Sequence, residues 1–179
     1  MKTAGFAHPP RNVAVLGIEP GMSIADFGSG SGAYVLLIAE ALRGAGEVYA
    51  IDVQKDLLRR TYNEALKRGC TNVRVLWGDL ELANGSKLAD ATVDLVLISN
   101  LLFQVEMKSA VLAEAIRVVR KGGRVAVIDW TDSFGGMGPT RDRVFGKDAA
   151  REVAKESGLT FQKEFAAGAH HYGLIFRKD

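Results

Sequence analysis

The sequence predicts an α/β fold, a mostly parallel sheet with helices on both faces, and three observations carry that prediction. Five near-continuous runs of β-branched and aliphatic residues have the composition of strands buried on both sides. Segments of helical period lie between them, each closed by glycine, and this alternation specifies parallel strands joined by crossover helices. The tail departs from the alternation with two strand-like runs too close together to hold a crossover.

Taken in order, Pro9-Pro10 opens a short apolar stretch from Val13 to Leu16, a helical turn or two that ends before Pro20-Gly21. Ile24-Ala25 is the first strand, stopping at Asp26. Tyr34, Leu37, Ile38, Ala41 and Leu42 then repeat at three and four residues up to Gly44, which reads as a helix. Val48 to Ile51 is the second strand, stopping at Asp52. Leu57, Leu58, Thr61, Tyr62, Ala65 and Leu66 form the next helical face before Gly69. Val73 to Trp77 runs into Gly78-Asp79, and Val93 to Ile98 into Ser99-Asn100. Val111, Leu112, Ala115, Ile116 and Val119 make a helix whose Arg117, Arg120 and Lys121 meet its negative end before Gly122-Gly123. Val125 to Ile128 stops at Asp129. Lys147 to Ser157 is a last helix, and Leu159 to Phe165 with His170 to Arg177 should pair as an antiparallel hairpin at the sheet edge. The loosest segment is Ser133 to Thr140, with three glycines and a proline.

In parallel sheets of this kind ligands bind where the carboxyl ends of the strands meet. Here those ends carry Asp26, Asp52, Gly78-Asp79, Asn100 and Asp129, and the first of them opens the glycine loop Asp26-Phe27-Gly28-Ser29-Gly30-Ser31-Gly32. The combination points to a cofactor containing a nucleoside. Singly, Asp26 and Asp52 also suit helix capping and Asn100 suits a turn; as a set they read as a site.

At 179 residues the chain is read as a single domain, with residues 1–22 as a helical lid and 23–179 as the core. A net charge of +2, without a dense basic block, argues against a nucleic-acid partner. The one cysteine, Cys70, excludes an internal disulfide and fits a reducing compartment, and no long apolar segment suggests a leader or a membrane span. The cytoplasm is the expected location. No metal site is read.

The order Asp-x-Gly-x-Gly-x-Gly at 26–32, the acid Asp52 ending the second strand, Gly78-Asp79 after the third, and a closing hairpin resemble the class I S-adenosylmethionine-dependent methyltransferases over roughly residues 20–179. Val118 to Arg124 before the fifth strand is similar to the small-molecule branch that includes the quinone C-methyltransferases. The resemblance implies a Rossmann-like seven-stranded sheet, order 3-2-1-4-5-7-6, with the seventh strand antiparallel. It implies S-adenosylmethionine as cofactor and S-adenosylhomocysteine as product. Gly28, Ser29, Gly30 and Gly32 would then lie along the methionine part, where a Cβ would occupy the ligand's space. Asp26 belongs to the same loop. Asp52 would accept from both ribose hydroxyls. Asp79, with Gly78 before it, would accept from the adenine amino group, with Val53 and Leu80 against the ring. Asn100 would face the methionine amino group and the departing methyl.

Gly28 to Ala33 also satisfies the dinucleotide fingerprint Gly-x-Gly-x-x-Gly/Ala, so an NAD(P)-dependent oxidoreductase is a rival reading. Asp26 opposes it: a carboxylate about 6 Å from a pyrophosphate charge costs about 3 kcal/mol at an effective dielectric near 20. A third reading is a cofactor-binding module without turnover.

Methyl transfer from a sulfonium is an in-line displacement, so positioning supplies much of the rate, and a base is needed only where the acceptor must lose a proton. Asp129, beside Trp130, and Asn100 are the candidate catalytic residues; His170 and His171 are read as structural. Asn100-Leu101-Leu102-Phe103 departs from the Asn/Asp-Pro-Pro-Tyr of nucleic-acid and protein-glutamine N-methyltransferases. Leu101, Leu102, Phe103 and Trp130 suggest an apolar wall for a small or lipid-like acceptor. A protein or RNA acceptor is the alternative. The pocket would be closed by the first twenty residues, by the Gly135–Pro139 loop, or by a second subunit in a homodimer.

Overall fold

In a computed structural model, which describes residues 7–179, β1 (Ser23–Phe27), β2 (Glu47–Asp52), β3 (Val73–Trp77), β4 (Val93–Ser99), β5 (Val119–Trp130), β6 (Leu159–Gly168) and β7 (His171–Lys178) form one sheet. The order is β3-β2-β1-β4-β5-β7-β6, as the resemblance implies. β1 pairs in parallel with β2 and β4, β2 with β3, and β4 with β5; β7 lies antiparallel between β5 and β6. Residues 1–6 of the expected lid lie outside the described residues.

The pleat sends alternate side chains to opposite faces, and the sequence fills both. Ile24, Val48, Ala50, Leu95, Leu97, Ala126 and Ile128 meet α1 (Pro9–Val15), α2 (Ala33–Ala41) and α3 (Lys55–Lys67). Ala25, Phe27, Ile51, Val96, Ile98, Val125 and Val127 meet α4 (Lys108–Val118) and α5 (Lys147–Glu156). Every residue of β4 is buried, as a central strand covered on both sides must be. The reversal of strand order falls between β1 and β4, which puts a crevice at their carboxyl ends.

One connection lacks the helix that the others hold, and one helix ends earlier than the sequence suggested. The connection from β3 to β4 holds no helix. Asn84, Lys87 and Ala91 take positive φ there, and the segment is pinned by side chains instead of by helical bonds. Buried Glu114 of α4 accepts from the Ser86 amide at 2.9 Å and the Ser86 hydroxyl at 2.5 Å, while Arg117 bonds Glu114, Asp90 and the Leu88 carbonyl. The second difference is the end of α4, expected near Gly122. The helix stops at Val118 because Val119 is already extended and pairs with Val93. Between that pairing and Leu95–Arg124 the register shifts, and Gly123 packs so near the Arg120 and Asp94 carbonyls that a Cβ would lie 2.9 Å from each. The hairpin is present, with a shorter turn than the four-residue gap suggested, since β6 runs on to Gly168.

From residue 7 onward the amino-terminal segment packs against the core. His8 donates from its amide to the Ala167 carbonyl at 2.9 Å, and the buried Asn12 amide donates to Tyr34 Oη of α2 at 2.8 Å and to the Ala167 carbonyl at 3.0 Å. This ties α1 to α2 and to the end of β6.

Candidate active site

The glycine loop and the carboxyl end of β2 are joined by the backbone. The Gly28 and Ser29 amides donate to the Ile51 carbonyl at 2.9 and 3.0 Å, so the loop folds back over β2. Asp52 fixes it from the side: Oδ2 accepts from the Gly30 amide and Oδ1 from the Gln54 amide, both at 2.8 Å. A carboxylate oxygen accepts two hydrogen bonds, so each keeps a lone pair for a ligand.

Two cavities flank this loop. One is lined by Gly28, Gly30, Asp52, Val53, Gly78, Asp79 and Leu80, together with Gln54, Glu81, Leu101, Gln104 and Val105. The other is lined on the α1 and α2 side by Asp26, Gly28, Ser29, Gly30, Ser99, Asn100 and Gln104, with Ala7, Pro9 and Tyr34. Gly28, Gly30 and Gln104 border both, so the loop is a saddle over which one long ligand can lie. All the expected cofactor residues except Gly32 therefore border one or both of these adjoining cavities.

Gly32 serves packing. Its φ is +78°, and a Cβ would lie 2.5 Å from Thr61 Oγ1 of α3, so glycine there lets α2 begin against α3. Gly78 also has a packing reason, since a Cβ would meet the Gly85 carbonyl at 2.0 Å. At Gly30, by contrast, the added Cβ meets nothing nearer than 3.9 Å and would stand in the groove.

Electrostatics divide the groove. Asp26 is 2% exposed, and burial, with Asp52 nearby, pushes its pKa up to about 7. The buried hydroxyl of Ser29 has no hydrogen-bond partner among the described residues, and that of Ser99 lies against the Tyr34 hydroxyl. A cavity holding a buried acid and two serine hydroxyls suits a zwitterionic head, whose ammonium the carboxylate would take and whose carboxylate the hydroxyls would take. The other cavity offers the acceptor oxygens of Asp52 and Asp79 beside Val53 and Leu80, which suits hydroxyls and an aminated aromatic ring. Asp79 Oδ1 already accepts from the Glu81 amide at 3.0 Å, which holds the carboxylate at the cavity wall.

The expected acceptor side is placed differently. Asp129 has no exposure; its carboxylate accepts from the Trp130 amide at 2.8 Å and the Phe103 amide at 3.3 Å, holding the turn after β4, and it borders neither cavity of the groove. Burial pushes its pKa up to about 7. Leu102 is likewise wholly buried, and Leu101 packs beside Gly28 and lines the first of the two cavities. Phe103 and Trp130 do meet, edge to face at 6.5 Å. Trp130 also lies against His171, with ring centres 4.3 Å apart. Phe134 stacks on His170 at 4.0 Å, and His170 Nδ1 pairs with Asp132 at 2.8 Å.

Asn100 adopts φ +52°, a left-handed conformation that Asn tolerates better than most residues, and its amide donates to the Ile128 carbonyl at 2.8 Å. Its Oδ1 meets His171 Nε2 at 2.9 Å. Gln104, which borders both cavities, was not expected from sequence; no motif marks it, and only its place in the turn after β4 brings it there. Among the described residues no group of three or more His, Cys, Asp or Glu could hold a metal, and no helix is long and apolar enough to cross a membrane.

Comparison with known proteins agrees with this fold. Residues 18–167 match a family described as "Methyltransferase domain". The chain is 30% identical over 114 residues to a demethylmenaquinone methyltransferase of Geobacillus sp. (strain WCH70), covering 64% of this chain and 47% of the relative. It is 28% identical over 116 residues to an arsenite methyltransferase of Halobacterium salinarum, covering 65% of this chain and 29% of that one. The chain thus spans about half or less of the length of these relatives. A crystal structure of a SAM-dependent methyltransferase from Aquifex aeolicus superposes with TM-score 0.85 at 24% identity, covering 96% of this chain and 89% of the other.

Proposed function

The chain belongs to the methyltransferase-domain family, and from that premise we propose that it transfers the methyl group of S-adenosylmethionine to a small or lipid-like acceptor. The observation that carries the reading is the groove over the glycine loop. It offers paired acceptor oxygens at Asp52, an open path at Gly30, and a buried acid beside the Ser29 and Ser99 hydroxyls at the far end.

Asp52 would hold the ribose hydroxyls with its remaining lone pairs, and Asp79 the adenine amino group, with Val53 and Leu80 against the ring. Asp26, Ser29, Ser99 and Asn100 would hold the amino-acid head, with the Gly28–Gly30 backbone beneath it. The bound cofactor supplies a methyl group already activated by a sulfonium. What the chain adds is alignment of that group with the acceptor and exclusion of water from the carboxyl edge of β4 and β5. Asp129 holds the turn after β4 in this reading and does not touch the acceptor.

Demethylmenaquinone methyltransferase among the relatives supports an apolar acceptor. So do the edge-to-face Phe103 and Trp130, and the exposed Phe134 and Met137 in the glycine-rich loop whose Gly138 packs on the Trp130 ring. The arsenite relative does not transfer its acceptor, because the single cysteine, Cys70, lies after α3 and borders neither cavity of the groove. Incubation with methyl-labelled S-adenosylmethionine and a panel of quinols, phenols and lipids, followed by solvent extraction, tests the acceptor class. Label in the organic phase supports it. Label carried only by precipitated protein or RNA would replace it with a macromolecular acceptor.

A further inference from the structure

We propose that His171 is a positioning residue for Asn100, turning the Asn100 carboxamide so that its N–H pair faces the cavity holding the amino-acid head. The proposal rests on the cofactor reading above. His171 opens β7 on the edge strand pair, far in sequence from the glycine loop, and is 3% exposed. Its Nε2 lies 2.9 Å from Asn100 Oδ1, and its Nδ1 is buried with no partner among the described residues.

That asymmetry fixes the proton. A hydrogen on Nδ1 would be a buried donor with nowhere to go, whereas a hydrogen on Nε2 has Asn100 Oδ1 to receive it. Burial, with His170 beside it, pushes the ring's pKa down to about 4, so it stays a neutral imidazole. The Trp130 ring, 4.3 Å away, holds the imidazole from the side. With Oδ1 turned to His171, the Asn100 Nδ2 group is left toward the cavity that Asn100 lines, and it has no partner among the described residues. The Asn100 backbone cannot drift, because its amide is bonded to Ile128 and its carbonyl accepts from Gln104 Nε2 at 2.5 Å.

The cavity then presents donors at Ser29, Ser99 and Asn100 and one acid at Asp26. This pattern matches a carboxylate on the Asn100 side and an ammonium on the Asp26 side. Asn100 thereby donates to the head's carboxylate, which adds a hydrogen-bonding role to the place beside the methionine amino group and departing methyl expected from sequence.

Calorimetric titration with two probes reads this out: S-adenosylhomocysteine, which has the head, and 5′-methylthioadenosine, which lacks it. His171→Phe, which keeps the stacking on Trp130, should weaken S-adenosylhomocysteine binding by about tenfold or more and leave 5′-methylthioadenosine unchanged. His171→Gln, which retains a donor, should restore most of the difference. Asn100→Ala should add little in the His171→Phe background. Equal losses for both probes, or no loss for either, would overturn the proposal by reducing His171 to a packing residue. A wild-type protein that binds neither probe would instead overturn the cofactor reading on which it rests.

Discussion

Asp26 and Asp129 are both acids at strand ends, both buried, and both held near pKa 7, yet they do different things. Asp26 faces a cavity and Asp129 faces two backbone amides. An ammonium bound beside Asp26 selects its ionised form, so below pH 7 a proton must leave before the ligand is held. S-adenosylhomocysteine affinity should therefore rise as pH increases through about 7, with proton release on binding, and Asp26→Asn should lose that dependence. Titration in two buffers of different ionisation heat measures the released proton. For Asp129 the linkage is with folding. Its folded pKa lies above the unfolded value of 3.8, so the fold binds the extra proton between about pH 4 and 7, and its contribution to stability falls as pH rises through that window. Asp129→Asn, keeping an oxygen for the amides, should flatten that fall, as denaturant unfolding at pH 5 and 8 would show. Asp52→Ala should weaken S-adenosylhomocysteine by on the order of 1–3 kcal/mol, because a charged acceptor is lost and the Gly30 amide is released. Unchanged binding in that variant would take Asp52 out of the site. Asp26 and Asp52 were legible in sequence because each ends an apolar run. Which face their neighbours took was legible only in part: Asp129 satisfies the same pattern, and nothing in its local sequence shows that the turn from β4 closes over it.

Among the elements, the glycine loop and the start of α2 carry two different demands that one motif hides. Gly30 is open toward the groove, while Gly32 sits against Thr61 with positive φ. Gly32→Ala should therefore destabilise the ligand-free protein by about 1–3 kcal/mol through overpacking and backbone strain. Thr61→Ala should recover part of that loss, because it removes the nearest atoms. A melt of the three variants checks this; equal stability of Gly32→Ala and wild type would remove the packing account. The distinction was beyond the sequence, because Thr61 is 29 positions away and reads only as one residue of an amphipathic helix. The helix-free connection between β3 and β4 was equally hidden. Its replacement depends on Glu114, Arg117 and Ser86 meeting across the fold, and a charged pair in α4 reads locally as a solvated face.

On the scale of the molecule, the strand order was legible because parallel strands, crossover helices and a closing hairpin leave few arrangements, and the resemblance selected one. The groove follows from that order, since the reversal between β1 and β4 opens the crevice. The amino-terminal segment was harder. Val13 to Leu16 reads as a short helix, but its docking depends on Asn12 reaching Tyr34 and the end of β6, 155 positions away at Ala167. The account as a whole stands on the ligand that crosses the glycine loop. Isothermal titration with S-adenosylhomocysteine, with NADH in parallel, tests it most directly. Micromolar binding of S-adenosylhomocysteine without NADH binding is the predicted result. Binding of NADH alone would contradict it and make the loop a pyrophosphate site.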